Sequence, residues 1–380
     1  MKLDKFIISF ANKGISLQKE DGSMPAGHNG PYIHKETSVR NTGHWIMIYA
    51  KSYEFTHDQK YIDAIRKAAD YIISKKGRPH GGAFFHRIEG GDKANELIGP
   101  SWSFESLIKA TQVLKDDKYL KVAEDVCLKY FFNKKKAVWN KLTTTSEKDR
   151  IDQTFNHQLW FAATSTLIDG QSKELFLFRA SLFLSNIDKI MLQFEDGLIY
   201  HGIYTKLDLR SRLNLLLKET IRYIKLFLGD YKRQNRELVR LSKLMTKSIG
   251  YHSFNLYGFA ILKKELPNHS FWDSKQFHSM LALLVSDKYY YQLESENYFG
   301  FPYNVPGFEI PVVAHVFNIF NRQELILFAE KYINIQIKKT FNIKTYTFDK
   351  NNVDQHTLNA RFYEITRLPS DIIKEINVEI

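Results

Sequence analysis

Apolar residues recur at spacings of three and four in five stretches: 60-KYIDAIRKAADYII, 118-KYLKVAEDVCLKYFF, 173-KELFLFRASLFLSNI, 270-SFWDSKQFHSMLALLV and 323-QELILFAEKYINI. That spacing predicts helices with one apolar and one wet face. The stretches keep a period. Tyr61 to Tyr119 is 58 residues, Tyr119 to Leu175 is 56 and Trp272 to Leu325 is 53, whereas Leu175 to Trp272 is 97. The long interval is one repeat plus an insertion.

A second helix precedes each of these and is apolar nearly all round. The set is 39-VRNTGHWIMIYA, 99-GPSWSFESLIKA, 154-TFNHQLWFAAT, 250-GYHSFNLYGFAIL and 307-GFEIPVVAHVFNI, with a sixth copy at 356-HTLNARFYEIT. Their first turns are polar or aromatic. The sixth copy has no partner after it, but Lys2 to Gln18 is an unpartnered helix that closes the series. Six helices buried on most sides alternating with six one-sided helices predict an all-α (α/α)6 toroid spanning 1–380 as one domain. A binding solenoid is the alternative, but common helical-repeat periods are near 34 or 40–47 residues and solenoids keep short loops. Here long Gly- and aromatic-rich loops, such as 21-DGSMPAGHNGPYIH, 80-HGGAFFHRIEGGD, 196-DGLIYHGIY and 297-NYFGFPYNVPG, lead into the inner helices and share one mouth.

Composition narrows this picture. The chain has 380 residues, 44% hydrophobic and 14% aromatic, enough for a large core. The single Cys127 excludes an intramolecular disulfide and a Cys-based zinc cage. No HExxH, P-loop or GxGxxG occurs, so no metal and no cofactor is expected. No segment reaches the ~20 apolar residues of a membrane span, and the amino terminus does not read as a secretory signal. The expected location is cytoplasmic. The net charge is +12, and residues 205–248 hold twelve Lys/Arg against four Asp/Glu, a net +8. This basic helical insertion places Leu213, Leu216, Leu217, Ile224 and Leu228 near one face beside Arg222 and Lys225. This pattern fits three readings: an extra hairpin packed on the toroid, contact with a membrane surface or protein partner, and nucleic acid. The last is disfavoured because no nucleic-acid motif accompanies the charge.

Paired helices at this spacing, the DG loops and motifs such as NTGHW and FNHQLWFAA resemble the (α/α)6 carbohydrate-active proteins. That group includes unsaturated glucuronyl hydrolases, N-acylglucosamine 2-epimerases, polysaccharide lyases and the helical domain of glucuronyl C5-epimerases. More narrowly, the chain looks like intracellular toroids associated with surface-polysaccharide or glycan assembly. The resemblance implies a carbohydrate-active enzyme. One departure matters: unsaturated glucuronyl hydrolases carry aspartates at inner-helix starts, whereas the first two inner helices here open with Arg40-Asn41 and Gly99-Pro100-Ser101. Hydration chemistry of that kind is therefore not expected.

Inner-helix N-termini present free N–H groups and a positive dipole end to the mouth. Residues expected there for substrate are Asp21, Arg40, Asn41, Trp45, Trp102, Tyr251, His252, Glu309, Asn359 and Arg361. His157, Asn156, His44, His34 and Tyr303 are the expected catalytic set. Aromatic rings beside Asn, His and Arg suit an oligosaccharide or polysaccharide, and an Arg suits an anionic one carrying a uronate. Two chemistries fit. One abstracts the C5 proton of a uronic acid, then eliminates or reprotonates. The other hydrolyses a glycosidic bond with two carboxylates, drawn from Asp21, Glu36, Glu89, Asp152, Asp196 and Glu309. No pair among these stands out by spacing, so the first is preferred; a non-catalytic glycan-binding protein is the third reading. Plainer roles compete at each position. Asp152 suits a helix cap, His44 a bonded core histidine, and Trp45 and Trp160 the core.

Overall fold

The two helix types build two concentric rings in the computed structural model. The structure describes residues 1–89, 92–142, 148–203, 231–295 and 297–380, with the backbone alone for 148–149 and 231–241. In chain order the helices are α1 (Leu3–Leu17), α2 (Val39–Thr56), α3 (Gln59–Ile73), α4 (Ile98–Leu114), α5 (Lys118–Lys129), α6 (Phe155–Ser165), α7 (Lys173–Ser185), α8 (Ile187–Ile190), α9 (Tyr231–Glu265), α10 (Lys275–Leu284), α11 (Asp287–Glu294), α12 (Pro306–Val316), α13 (Arg322–Thr340), α14 (Gln355–Arg361) and α15 (Ser370–Glu375). A 3-10 turn, Phe362–Arg367, prolongs α14.

Helices α2, α4, α6, the second half of α9, α12 and α14 with its 3-10 turn form the inner ring. Each packs on the next, and α14 returns to α2. Their burial explains their unbroken apolar character: α2 is buried at every position from Val39 to Ser52. The outer ring is α1, α3, α5, α7, α10 and α13. These bury one stripe, as in α3, where Tyr61, Ala64, Ile65, Ala68, Ala69 and Ile72 face inward. Side-chain caps mark several starts: Asp58 accepts from Lys60 N–H, and Asn321 and Glu324 form a reciprocal capping box on α13.

The expected closure by the first helix is present. The Met1 ammonium donates to Val378 O at 2.7 Å, and Lys2 pairs with Asn377. Phe10 of α1 stacks on Trp45 of α2 at 5.1 Å between ring centroids. Gly14 lets the indole approach, since a Cβ there would lie 2.1 Å from Trp45 Cζ3.

Two features differ from the expectation of plain loops. β1 (Phe132–Asn133), β2 (Val138–Leu142) and β3 (Lys148–Ile151) form an antiparallel sheet ahead of α6, and β4 (Met191–Gln193) and β5 (Ile199–Ile203) form a hairpin. Strands of two to five residues are too short for a period-two pattern to register. Both sheets are tied to the start of α6. Gln158 Nε2 donates to Trp139 O while Trp139 N–H donates to Gln158 Oε1, each at 2.8 Å. Ile203 N–H donates to Gln153 O at 2.9 Å.

Of the expected basic insertion, residues 205–230 lie outside the described residues. Residues 231–248 belong to α9, which runs unbroken into the inner ring. No described helix is long and apolar enough to cross a membrane.

Candidate active site

A cavity of about 280 Å³ lies at the mouth, walled by the starts of the inner helices and the long loops. Asp152 organises one wall. Its Oδ1 accepts Thr154 N–H at 3.0 Å, beside the first turn of α6. Its Oδ2 accepts Leu97 N–H at 3.2 Å and lies 2.9 Å from His157 Nδ1. The loop before α4 is thereby drawn across, bringing Glu96 Oε2 to 3.1 Å from the same Nδ1. Asn95 and Glu96 both adopt positive φ, at 60° and 56°, and Asp92 accepts the Glu96 N–H at 2.8 Å. Positive φ is uncommon for residues with a Cβ, and such conformations cluster at functional sites.

With Nδ1 engaged, His157 has Nε2 left for a substrate. Burial opposes charge on this imidazole, but Asp152 and Glu96 outweigh it and lift the ring to about 9. Glu96 responds in the opposite sense: burial raises it, and the bond and charge of His157 then pull it down to about 2. The pair is ionised at neutral pH. His201, carried in by β5, behaves otherwise. Burial pushes it well below the ordinary histidine range, with Lys247 and His157 adding to the effect. Its ring packs on Tyr251 at 4.7 Å.

Lys247 reaches the cavity from α9, one turn before Tyr251. Its ammonium sits 5.0 Å from the Tyr32 ring centre, and burial lowers it to about 8 despite the charge of Glu96. Tyr32 and Tyr251 share a hydrogen bond of 3.1 Å. Two further cations face the cavity but are already paired. Arg40 lies 3.4 Å from Glu36 and 3.9 Å above the Trp102 ring. Arg361 donates to Glu309 at 2.6 Å, to Glu364 at 2.8 Å and to Asn304 Oδ1. Asn95 has both amide atoms buried without partners, and Asn156 Oδ1 is likewise unpaired, so both can serve hydroxyls.

Among the expected residues, His157, Asn156, His34, Tyr303, Arg40, Trp102, Tyr251 and Arg361 line this cavity. The others do not. His44 is buried, stacked at 4.4 Å on Tyr363, with both ring nitrogens unpaired. Burial, Arg40 and Arg361 keep it neutral by pushing its pKa well below the usual range. Asn41 donates to Pro25 O at 2.9 Å. Trp45 is core. His252 turns outward, bonded to Met280 O at 3.1 Å and facing Ile199 N–H at 3.4 Å. Asn359 accepts Phe348 N–H at 2.6 Å, and Glu309 stands behind Arg361. Asp21 bonds Ser23 and Lys76 away from the mouth.

Asn95, Glu96, Lys247, Asn304 and Arg87, not among the residues expected from the sequence, also line the cavity. Glu96 had a signal, since it immediately precedes an inner helix. Lys247 was hidden in the basic stretch. Glu96, Asp152 and His157 hold one ligand atom each within 4.8 Å of one another, a set that could hold a metal ion. An ion there would displace His157 Nδ1 from Asp152 Oδ2.

No family model matches the chain. It is 37% identical over 368 residues to archaeal glycosylation protein Q of Haloferax volcanii, covering 96% of this chain and 97% of that one. The fold is similar to cellobiose 2-epimerase from Bacillus thermoamylovorans, with a TM-score of 0.62, 9% identity and 96% and 99% of the two chains covered. An unsaturated glucuronyl hydrolase specific for heparin gives a TM-score of 0.57 at 10% identity, covering 96% and 95%. An α-1,6-mannanase of Salegentibacter, in complex with mannotetrose, gives 0.55 at 10%, covering 97% and 98%. At these identities the solved structures establish the fold, an (α/α)6 toroid, and no more.

Proposed function

The chain belongs to the family of archaeal glycosylation protein Q, and from that premise we propose that it acts on a uronic-acid-containing glycan by abstracting the C5 proton. The observation that carries this reading is the opposite charge state of two imidazoles in one cavity. His201 is kept neutral and suits a base; His157 is kept charged by Asp152 and Glu96 and suits an acid. Lys247 has no ion pair among the described residues and suits the uronate carboxylate, where negative charge grows as the C5–H bond breaks.

The step balances. His201 takes the C5 proton, and the bonding pair moves into the carboxylate as an enolate held by Lys247. His157 then returns a proton to C5 from the other face, giving the epimer. Alternatively the pair expels the C4 oxygen, which His157 protonates, giving an unsaturated sugar. Hydrolysis by two carboxylates is less well supported. Glu96 is the one acidic residue lining the cavity among the described residues, and Asp152 is committed to Leu97, Thr154 and His157.

The test is incubation of uronic-acid oligosaccharides in deuterated water with wild type, His157→Ala and His201→Ala, read by NMR and mass. Deuterium at C5 without cleavage is expected for an epimerase, and an unsaturated product for a lyase. Cleavage with water added, or turnover unchanged in both variants, overturns the proposal.

A further inference from the structure

A second cavity, of about 590 Å³, opens among the carboxyl-terminal ends of the inner helices, away from the mouth. Lys51, Lys109, Lys264 and Arg367 line it, and Glu54 is its one lining carboxylate among the described residues. Lys51 is 8% exposed, with its Nζ 3.0 Å from Glu54 Oε2 and 2.7 Å from Ser370 Oγ. Arg367 is bound to Glu105 behind the wall, its Nε 3.2 Å from Oε1. At the rim, half-buried Lys109 and exposed Lys264 make no hydrogen bond or ion pair among the described residues.

The plain explanation is that lysines at helix carboxyl ends complement the dipole and bond the last carbonyls. Other lysines of this chain bond carbonyls at helix ends: Lys263 donates to Pro267 O, just past the end of α9, at 2.8 Å, and Lys173, at the start of α7, to Thr166 O at the end of α6 at 2.5 Å. Lys109 and Lys264 bond no carbonyl. Four cations therefore face two carboxylates, both already used. Burial lowers the pKa of Lys51, Lys109 and Lys264, and Arg367 and Lys51 each push Lys109 and Lys264 further down. The cations repel one another across the cavity, and an anion there would relieve this.

We propose that this cavity binds a phosphate-class anion of two or more charges, either free or as the head group of a lipid. Several ammonium donors and an arginine converging on one space suit phosphate oxygens. The site is separate from the mouth and does not depend on the chemistry proposed there.

Calorimetry of the full chain with inorganic pyrophosphate tests it, comparing wild type, Lys109→Gln/Lys264→Gln and Lys247→Met. Binding that weakens with salt is expected, about tenfold or more weaker in the double variant and unchanged in Lys247→Met. Thermal melting of each variant shows that it is folded. Flotation with phosphatidylcholine vesicles, with and without phosphatidic acid, separates the sources. Binding to phosphatidic acid vesicles that is lost in the double variant supports a lipid head group, and pyrophosphate binding alone supports a soluble ligand. Binding of neither, equal binding by the double variant, or a loss confined to Lys247→Met overturns the proposal.

Discussion

Asp152 Oδ2 lies 2.9 Å from His157 Nδ1 while accepting the Leu97 N–H at 3.2 Å, so one carboxylate sets both the charge of the imidazole and the position of the loop that carries Glu96. Asp152→Asn keeps the shape and removes the charge. It is expected to lower the His157 pKa from about 9 toward the ordinary 6.5, read by NMR titration of the imidazole carbons. An unchanged titration in that variant would show that Glu96 alone holds the proton.

The same ion pair links stability to pH. His157 titrates near 6.5 when unfolded and about 9 when folded, so its contribution is complete below about 6.5 and is lost as pH rises through about 9. The difference corresponds to about 3 kcal/mol. Urea unfolding should show stability falling by that order between pH 6 and pH 10. In His157→Gln this alkaline loss should be absent.

Lys247 is lowered to about 8 by burial, so it loses its charge before His157 does. On the proposed reading, KM for a uronate substrate rises and kcat falls above pH 8 as Lys247 loses its charge, and kcat falls again near 9. Lys247→Met should raise KM about 10- to 100-fold, the range for one charge-assisted contact, and abolish the first of these two pH steps. A KM that does not move with pH or with this substitution would remove Lys247 from substrate binding.

Arg361 pairs with both Glu309 and Glu364, at 2.6 and 2.8 Å, inside the ring wall. Arg361→Met leaves two buried carboxylates facing each other, expected to cost about 3–5 kcal/mol. Adding Glu309→Gln and Glu364→Gln should recover part of it. Denaturant midpoints of the single and triple variants measure this, and a single-variant loss under about 1 kcal/mol would contradict it.

Ring closure rests on the contact between α1 and α2. A Cβ on Gly14 would lie 2.1 Å from the Trp45 ring, which Phe10 already holds at 5.1 Å on its face. Gly14→Ala is expected to destabilise by about 1–3 kcal/mol, as overpacking does. Thermal melting and protease sensitivity of the first helix would show it.

Periodicity alone determined the alternating helices, their two rings and the closing role of residues 2–18. Burial on one side or all sides leaves a direct mark on which positions are apolar. It also determined that inner-helix starts are polar, which led to Asn156, His157, Arg40 and Arg361. Tertiary structure decided which polar starts meet. Trp45, His44, His252 and Asn359 sit on inner helices like the others, yet a rotation of about 100° per residue turns them into the wall or the core. Glu96 and His157 are 61 positions apart and meet only because Asp152 pins Leu97. The opposite charges of His157 and His201 have the same origin. A pKa depends on which charges lie within a few ångströms and on how much water is excluded, and neither is written along the chain.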